Sequence, residues 1–147
     1  MESSQRYIKL EEFQVLFENV FSKIKTQHNF FPKTDYNLSD SHILILTYLY
    51  RVQTCTASDI VKYLGITSGG GTVLTATLLS KNLINRHRSE EDKRVFQLSL
   101  TTEGKKIVNQ IIKSRATAFV DLLHDLEETE INQMLNVFRK LDKKLNN

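Results

Sequence analysis

Lys81, Arg86, Arg88, Lys93 and Arg94 crowd one short stretch of the chain, opposed only by Glu90, Glu91 and Asp92, and His87 can add charge at low pH. Such a cluster can lay cations along a nucleic-acid backbone or into a minor groove. Just upstream, Ser68, Thr72, Thr75, Thr77 and Ser80 supply hydroxyls. These bond to bases or phosphates with little selectivity, and a threonine methyl can pack on a thymine methyl. Gly69, Gly70 and Gly71 lack side chains, so the backbone there can approach a phosphate and donate amides to it. The DNA-contacting set expected from these residues is Ser68, Gly69, Gly70, Thr72, Thr75, Lys81, Arg86, Arg88, Lys93 and Arg94. Taken singly, these features describe a polar helix face and a solvated hairpin, so their placement has to carry the argument.

The elements that position them are legible. Thr56-Ala57-Ser58-Asp59 has the capping-box form and opens a short helix whose Ile60, Val61 and Leu64 point inward. Gly65 can end that helix at positive φ, Ile66 and Thr67 form a turn, and Ser68 is expected to cap a second helix running to about Asn82. Two short helices joined in this way make a helix-turn-helix. Leu83–Arg88 and Val95–Leu100 then change period and predict a two-stranded hairpin whose hydrophilic connection, residues 89–94, projects as a wing.

Helical spacing fills the rest. Phe13, Leu16, Phe17, Val20, Phe21 and Ile24 predict a helix over Glu11–Thr26. Ser39 caps a helix over Asp40–Arg51, Thr101 opens one of about six turns, and Thr129 is expected to cap the last. The terminal helices carry more apolar surface than the central unit can cover, which predicts that the termini meet and that a second copy of the chain buries the excess. The fold class is mainly α (α+β). Residues 38–100 form the DNA-binding unit of a single domain, and residues 1–37 and 101–147 form dimerisation helices.

Composition narrows the function class. The 147 residues are 40% hydrophobic and 25% charged with a formal net charge of +3, which reads as globular. The polar start lacks the basic and apolar regions of a signal peptide, and no stretch is apolar enough to span a bilayer, so a cytoplasmic protein is expected. Lone Cys55 excludes a disulfide framework and is expected to be a buried thiol. His28, His42, His87 and His124 show no metal-binding spacing, and no metal or other cofactor is expected. The glycine run follows a helix rather than a strand, and no nucleophile–base grouping stands out, so an enzyme is not expected. The rings of Phe13, Phe17, Phe21, Phe30, Phe31, Tyr36 and Tyr48 can line a cleft for a small aromatic or lipophilic effector, or simply pack.

The order of elements resembles the MarR family of bacterial winged helix-turn-helix regulators. The resemblance rests on LSDSHILIL (38–46), TASDIVKYLGIT (56–67), LLSKNLINRHR (78–88), the wing Asp92-Lys93-Arg94, and LTTEG (100–104). It implies a DNA-binding transcriptional regulator, commonly a repressor, dimerised through both termini on a palindromic operator. Each recognition helix would lie in a major groove and each wing tip in the neighbouring minor groove. Arg94 becomes the minor-groove residue, with Asp92 orienting arginines near it. The triple glycine and the arginine-free recognition helix depart from the family pattern. The competing reading is a winged-helix protein-interaction module without DNA binding, which has no need of arginines around a projecting loop.

Overall fold

A computed structural model describes residues 2–146. Its elements are α1 (Glu2–Gln27), α2 (Asp40–Val52), β1 (Thr54–Cys55), α3 (Ala57–Leu64), α4 (Ser68–Ser80), β2 (Ile84–Arg88), β3 (Phe96–Leu100), α5 (Thr102–Leu122) and α6 (Glu128–Leu145). The wing hairpin is two strands of a three-stranded antiparallel sheet in the order β1-β3-β2, with Thr54 opposite Ser99 and Arg88 opposite Phe96. The added strand is two residues long, too short for alternation to announce it.

Helix starts follow local chemistry. Ser39 caps α2 and accepts from the His42 backbone N–H at 3.3 Å, while His42 Nδ1 accepts from the Ser39 N–H at 3.0 Å. Thr101 caps α5 through the Gly104 N–H at 2.9 Å. The last helix starts differently from expectation. Its cap is Glu127, whose N–H donates to Glu130 Oε2 at 2.9 Å, and Thr129 lies inside the first turn. A carboxylate three residues on closes the reciprocal arrangement that a hydroxyl at 129 would have required elsewhere. The first helix also begins earlier than its apolar periodicity, because Glu2–Leu10 continues in helix without breaking residues.

One core lies between α2, the helix-turn-helix, the sheet and the first half of α5. Ile45, Leu46, Leu49, Ile60, Leu78, Leu83, Val108 and Ile111 are fully buried in it. Gly104 brings the start of α5 against the turn between α4 and β2, where a Cβ would collide with the Leu83 carbonyl. Two further bonds close this joint, Thr101 N–H to Leu83 O at 3.1 Å and Thr101 Oγ1 to Asn82 O at 2.8 Å.

The terminal helices behave otherwise. Phe13, Phe17 and Phe21 of α1, with Leu135, Phe138 and Leu141 of α6, all remain exposed. The expected packing of the two termini on each other is therefore not found within a single chain. Among the described residues no helix is long and apolar enough to cross a membrane.

Candidate nucleic-acid interface

The helix-turn-helix is fixed at both joints. Thr56 and Asp59 exchange hydrogen bonds, Asp59 N–H to Thr56 Oγ1 at 3.1 Å and Thr56 N–H to Asp59 Oδ2 at 2.9 Å. Gly65 stands at φ +64°, and its N–H reaches Val61 O at 2.9 Å. The next cap is Thr67, not Ser68: the Gly70 N–H donates to Thr67 Oγ1 at 3.1 Å, and Ser68 is the first residue of α4. The helix ends at Ser80, two residues before the expected Asn82.

The glycines at its start have separate roles. Gly71 is buried, and a Cβ there would lie 2.6 Å from Val61 Cγ2, so it lets α4 cross α3 closely. Gly69 faces open space, leaving the start of α4 uncovered.

Gly71, Thr75 and Leu78 set the inward line of α4. Thr75 is therefore a correction to the expected contact set. It is only 7% exposed, and its hydroxyl donates to Gly71 O at 2.9 Å and lies 3.1 Å from Thr72 O. At about 100° per residue, Thr75 turns under the helix one full turn after Gly71, while Thr72 stays exposed. The Thr72 hydroxyl donates to Ser68 O at 3.0 Å and that of Thr77 to Val73 O at 3.1 Å. Their donors are thus used within the helix, and their lone pairs remain free to accept. Directly opposite the buried line stands Val73, 66% exposed, which the sequence reading missed. Its position follows from the inward turn of Gly71, which the contact with Val61 fixes.

Lys81 is half-buried at the C-terminal end of α4. That end lies about 18 Å along the axis from Gly69, so Lys81 does not join the groups at the helix start. Its charge, with burial as the larger cause, lowers the pKa of His42.

The wing is a built loop. Ser89 N–H donates to Val95 O at 2.8 Å, and Val95 N–H to Asp92 O at 2.9 Å. Asp92 then grips Arg94: Oδ1 accepts from the Arg94 backbone N–H at 3.0 Å and Nε at 3.2 Å, and Oδ2 accepts from Nη2 at 3.3 Å. These bonds hold the Asp92 carboxyl below its ordinary pKa. The Arg94 side chain nevertheless stays 91% exposed. Such a bidentate pair fixes the direction of the guanidinium more than it neutralises the site. Lys93 is exposed beside it. Further down the hairpin, the Arg86 and Arg88 guanidinium carbons lie 4.1 Å and 5.4 Å from the centre of the Phe96 ring. The structure therefore brings Arg86, Arg88, Asp92, Lys93 and Arg94 onto one projecting element.

The Cys55 thiol is buried, and desolvation pushes its pKa up to about 11, the opposite of an activated thiolate. Among the described residues no group of three metal-ligating side chains assembles. The aromatic residues do not line one cleft. Phe13, Phe17, Phe21, Phe30 and Phe31 follow one another ring to ring, with Arg115 over Phe30 and Phe31 and its Nε donating to Phe30 O at 2.7 Å, whereas Tyr48 stacks on Tyr63 and Tyr36 donates to Glu103. An open hollow of about 440 Å³ beside α5 is lined by residues that include His28, Asn29, Ser114 and Asp121.

Comparison with known proteins identifies this arrangement. Residues 19–111 match the family model of the transcriptional regulator SarA/Rot. The organic hydroperoxide resistance transcriptional regulator of Bacillus subtilis is 31% identical over 105 residues, 71% of each chain. A MarR family protein from Bacillus stearothermophilus shares the fold with a TM-score of 0.84 at 18% identity, covering 96% of this chain and 98% of that one. A point mutant of S. aureus MepR bound to an oligodeoxyribonucleotide matches with a TM-score of 0.63 at 26% identity, covering 90% of this chain and 97% of that one. The chain belongs to the SarA/Rot family of transcriptional regulators and carries the MarR-type winged helix-turn-helix fold.

Proposed function

We propose that this regulator acts in the cytoplasm as a homodimer on a palindromic DNA operator, by binding rather than catalysis, and represses the adjoining genes. The start and outer face of α4 enter the major groove, and the wing lies along the backbone and minor groove. The observation that carries this reading is the projecting wing, where Arg94 is held outward by Asp92 beside an uncovered α4. Residues 38–100 bind DNA in this scheme, and the exposed apolar faces of α1 and α6 supply the dimer contact. A protein-interaction module would not need that arginine alignment. The relative solved with an oligodeoxyribonucleotide adds support by similarity.

Release by a small aromatic or lipophilic effector fits best at the Phe21–Phe30–Phe31 cluster, which joins the end of α1 to α5 through Arg115. The decisive experiment for DNA binding is a fluorescence-anisotropy titration with random duplex at low and moderate salt, followed by selection from a random duplex pool. Salt-dependent binding with enrichment of one palindromic sequence is expected. Absence of binding at low salt would leave the interaction-module reading in its place.

A further inference from the structure

Val73 is the most exposed apolar residue of the helix-turn-helix, at 66%. It stands about 200° around α4 from Gly71, the point of closest approach to α3. The other large apolar side chains of the helix, Leu74, Leu78 and Leu79, pack towards the core. No neighbour covers the valine, and nothing longer surrounds it: Gly69 precedes it by one turn and Ala76 follows on the same side. The helix has no charged residue between Ser68 and Ser80. Guanine recognition by arginine, the commonest specific base contact, is therefore closed to it.

The major groove presents a single apolar group, the thymine C5-methyl. We infer that Val73 is a specificity-determining residue that reads a thymine methyl in each half-site, an inference that rests on the DNA-binding reading above. Short side chains around Val73 let the helix approach the base edges closely enough for methyl–methyl contact. Thr72 and Thr77, whose lone pairs remain free to accept, flank it and can take the N6 amino proton of the paired or neighbouring adenine. An A·T pair at one position in each half-site is the consequence.

The test begins with a duplex selected from a random pool by the wild-type protein. Each thymine is replaced in turn by deoxyuridine, which removes the methyl and keeps every hydrogen-bonding group. At one position per half-site the wild type is expected to lose about fourfold in affinity per methyl, the loss for one buried methyl-sized group. Val73→Ala, which keeps the helix, is expected to bind thymine and deoxyuridine duplexes equally, and random duplex as the wild type does. The inference is overturned if the wild type is indifferent to every methyl, or if Val73→Ala keeps the discrimination. A pool that yields a preferred duplex insensitive to methyl removal sinks only the role of Val73. A pool that yields none sinks sequence-specific binding as well.

Discussion

His42 links protonation to the start of α2. Its Nδ1 accepts the Ser39 N–H, and its Nε2 is buried without a partner. Burial, then the charge of Lys81, lowers its pKa below the ordinary 6.5. The folded state therefore binds a proton less readily than the unfolded state. Stability from this source is complete above pH 6.5 and is lost as the pH falls through the lower folded value. Protonation would put a hydrogen on the nitrogen that now accepts. His42→Gln keeps an acceptor in the capping box without titrating. Thermal melts of this variant should show a flatter stability profile between about pH 5 and 7 than the wild type; an unchanged slope would assign that dependence to another group. On the wing, Arg94→Ala should weaken binding to specific and random duplexes alike and lower the slope of log affinity against log salt by about one unit. Anisotropy at several salt concentrations checks both, and a change confined to the specific duplex would contradict the backbone or minor-groove role.

Within α4, two neighbouring glycines should respond with opposite signs. Gly69→Ala meets open space and gains helix propensity, so it should raise stability by up to about 1 kcal/mol. Gly71→Ala drives a methyl against Val61 and should cost about 1–3 kcal/mol by separating α3 from α4. Urea denaturation of both variants measures the contrast. The same helix marks the boundary of what the sequence discloses. Thr56 with Asp59, Gly65, and Thr101 with Gly104 were legible because capping is written in neighbouring residues. The rotation of α4 was not: hydroxyls at 68, 72 and 75 share one helical face and suggest a common polar side, although Thr75 is buried. Only the contact of Gly71 with Val61, made across the turn, turns Thr75 inward and Val73 outward. The caps at Thr67 and Glu127 slipped by one or two residues because adjacent groups offered equally good local partners. Strand β1 depends on its pairing with β3 and has no signature of its own.

For the whole molecule, the proposed dimer rests on the uncovered rings of α1 and the leucines of α6. Sedimentation at micromolar concentration should give a dimer rather than the 17.0 kDa monomer. Phe17→Glu and Leu141→Glu should each shift the population to monomer by placing a charge in the buried seam; a monomeric wild type would remove the proposed dimer.

The joint at Leu83, Thr101 and Gly104 gives that assembly a mechanical character. Because α5 is seated against the turn between α4 and β2 without room for a methyl, its start cannot shift without moving that turn. The 21 residues of α5 extend roughly 31 Å from this joint, so in the proposed dimer the helix would act as a lever arm. A tilt of about 10° at its far end would carry the reading heads through some 5 Å by the same length. Successive major grooves on one face of DNA repeat every 34–36 Å or so. A displacement of that size is enough to throw a symmetric pair of heads out of step with the double helix, without altering a single residue that touches a base.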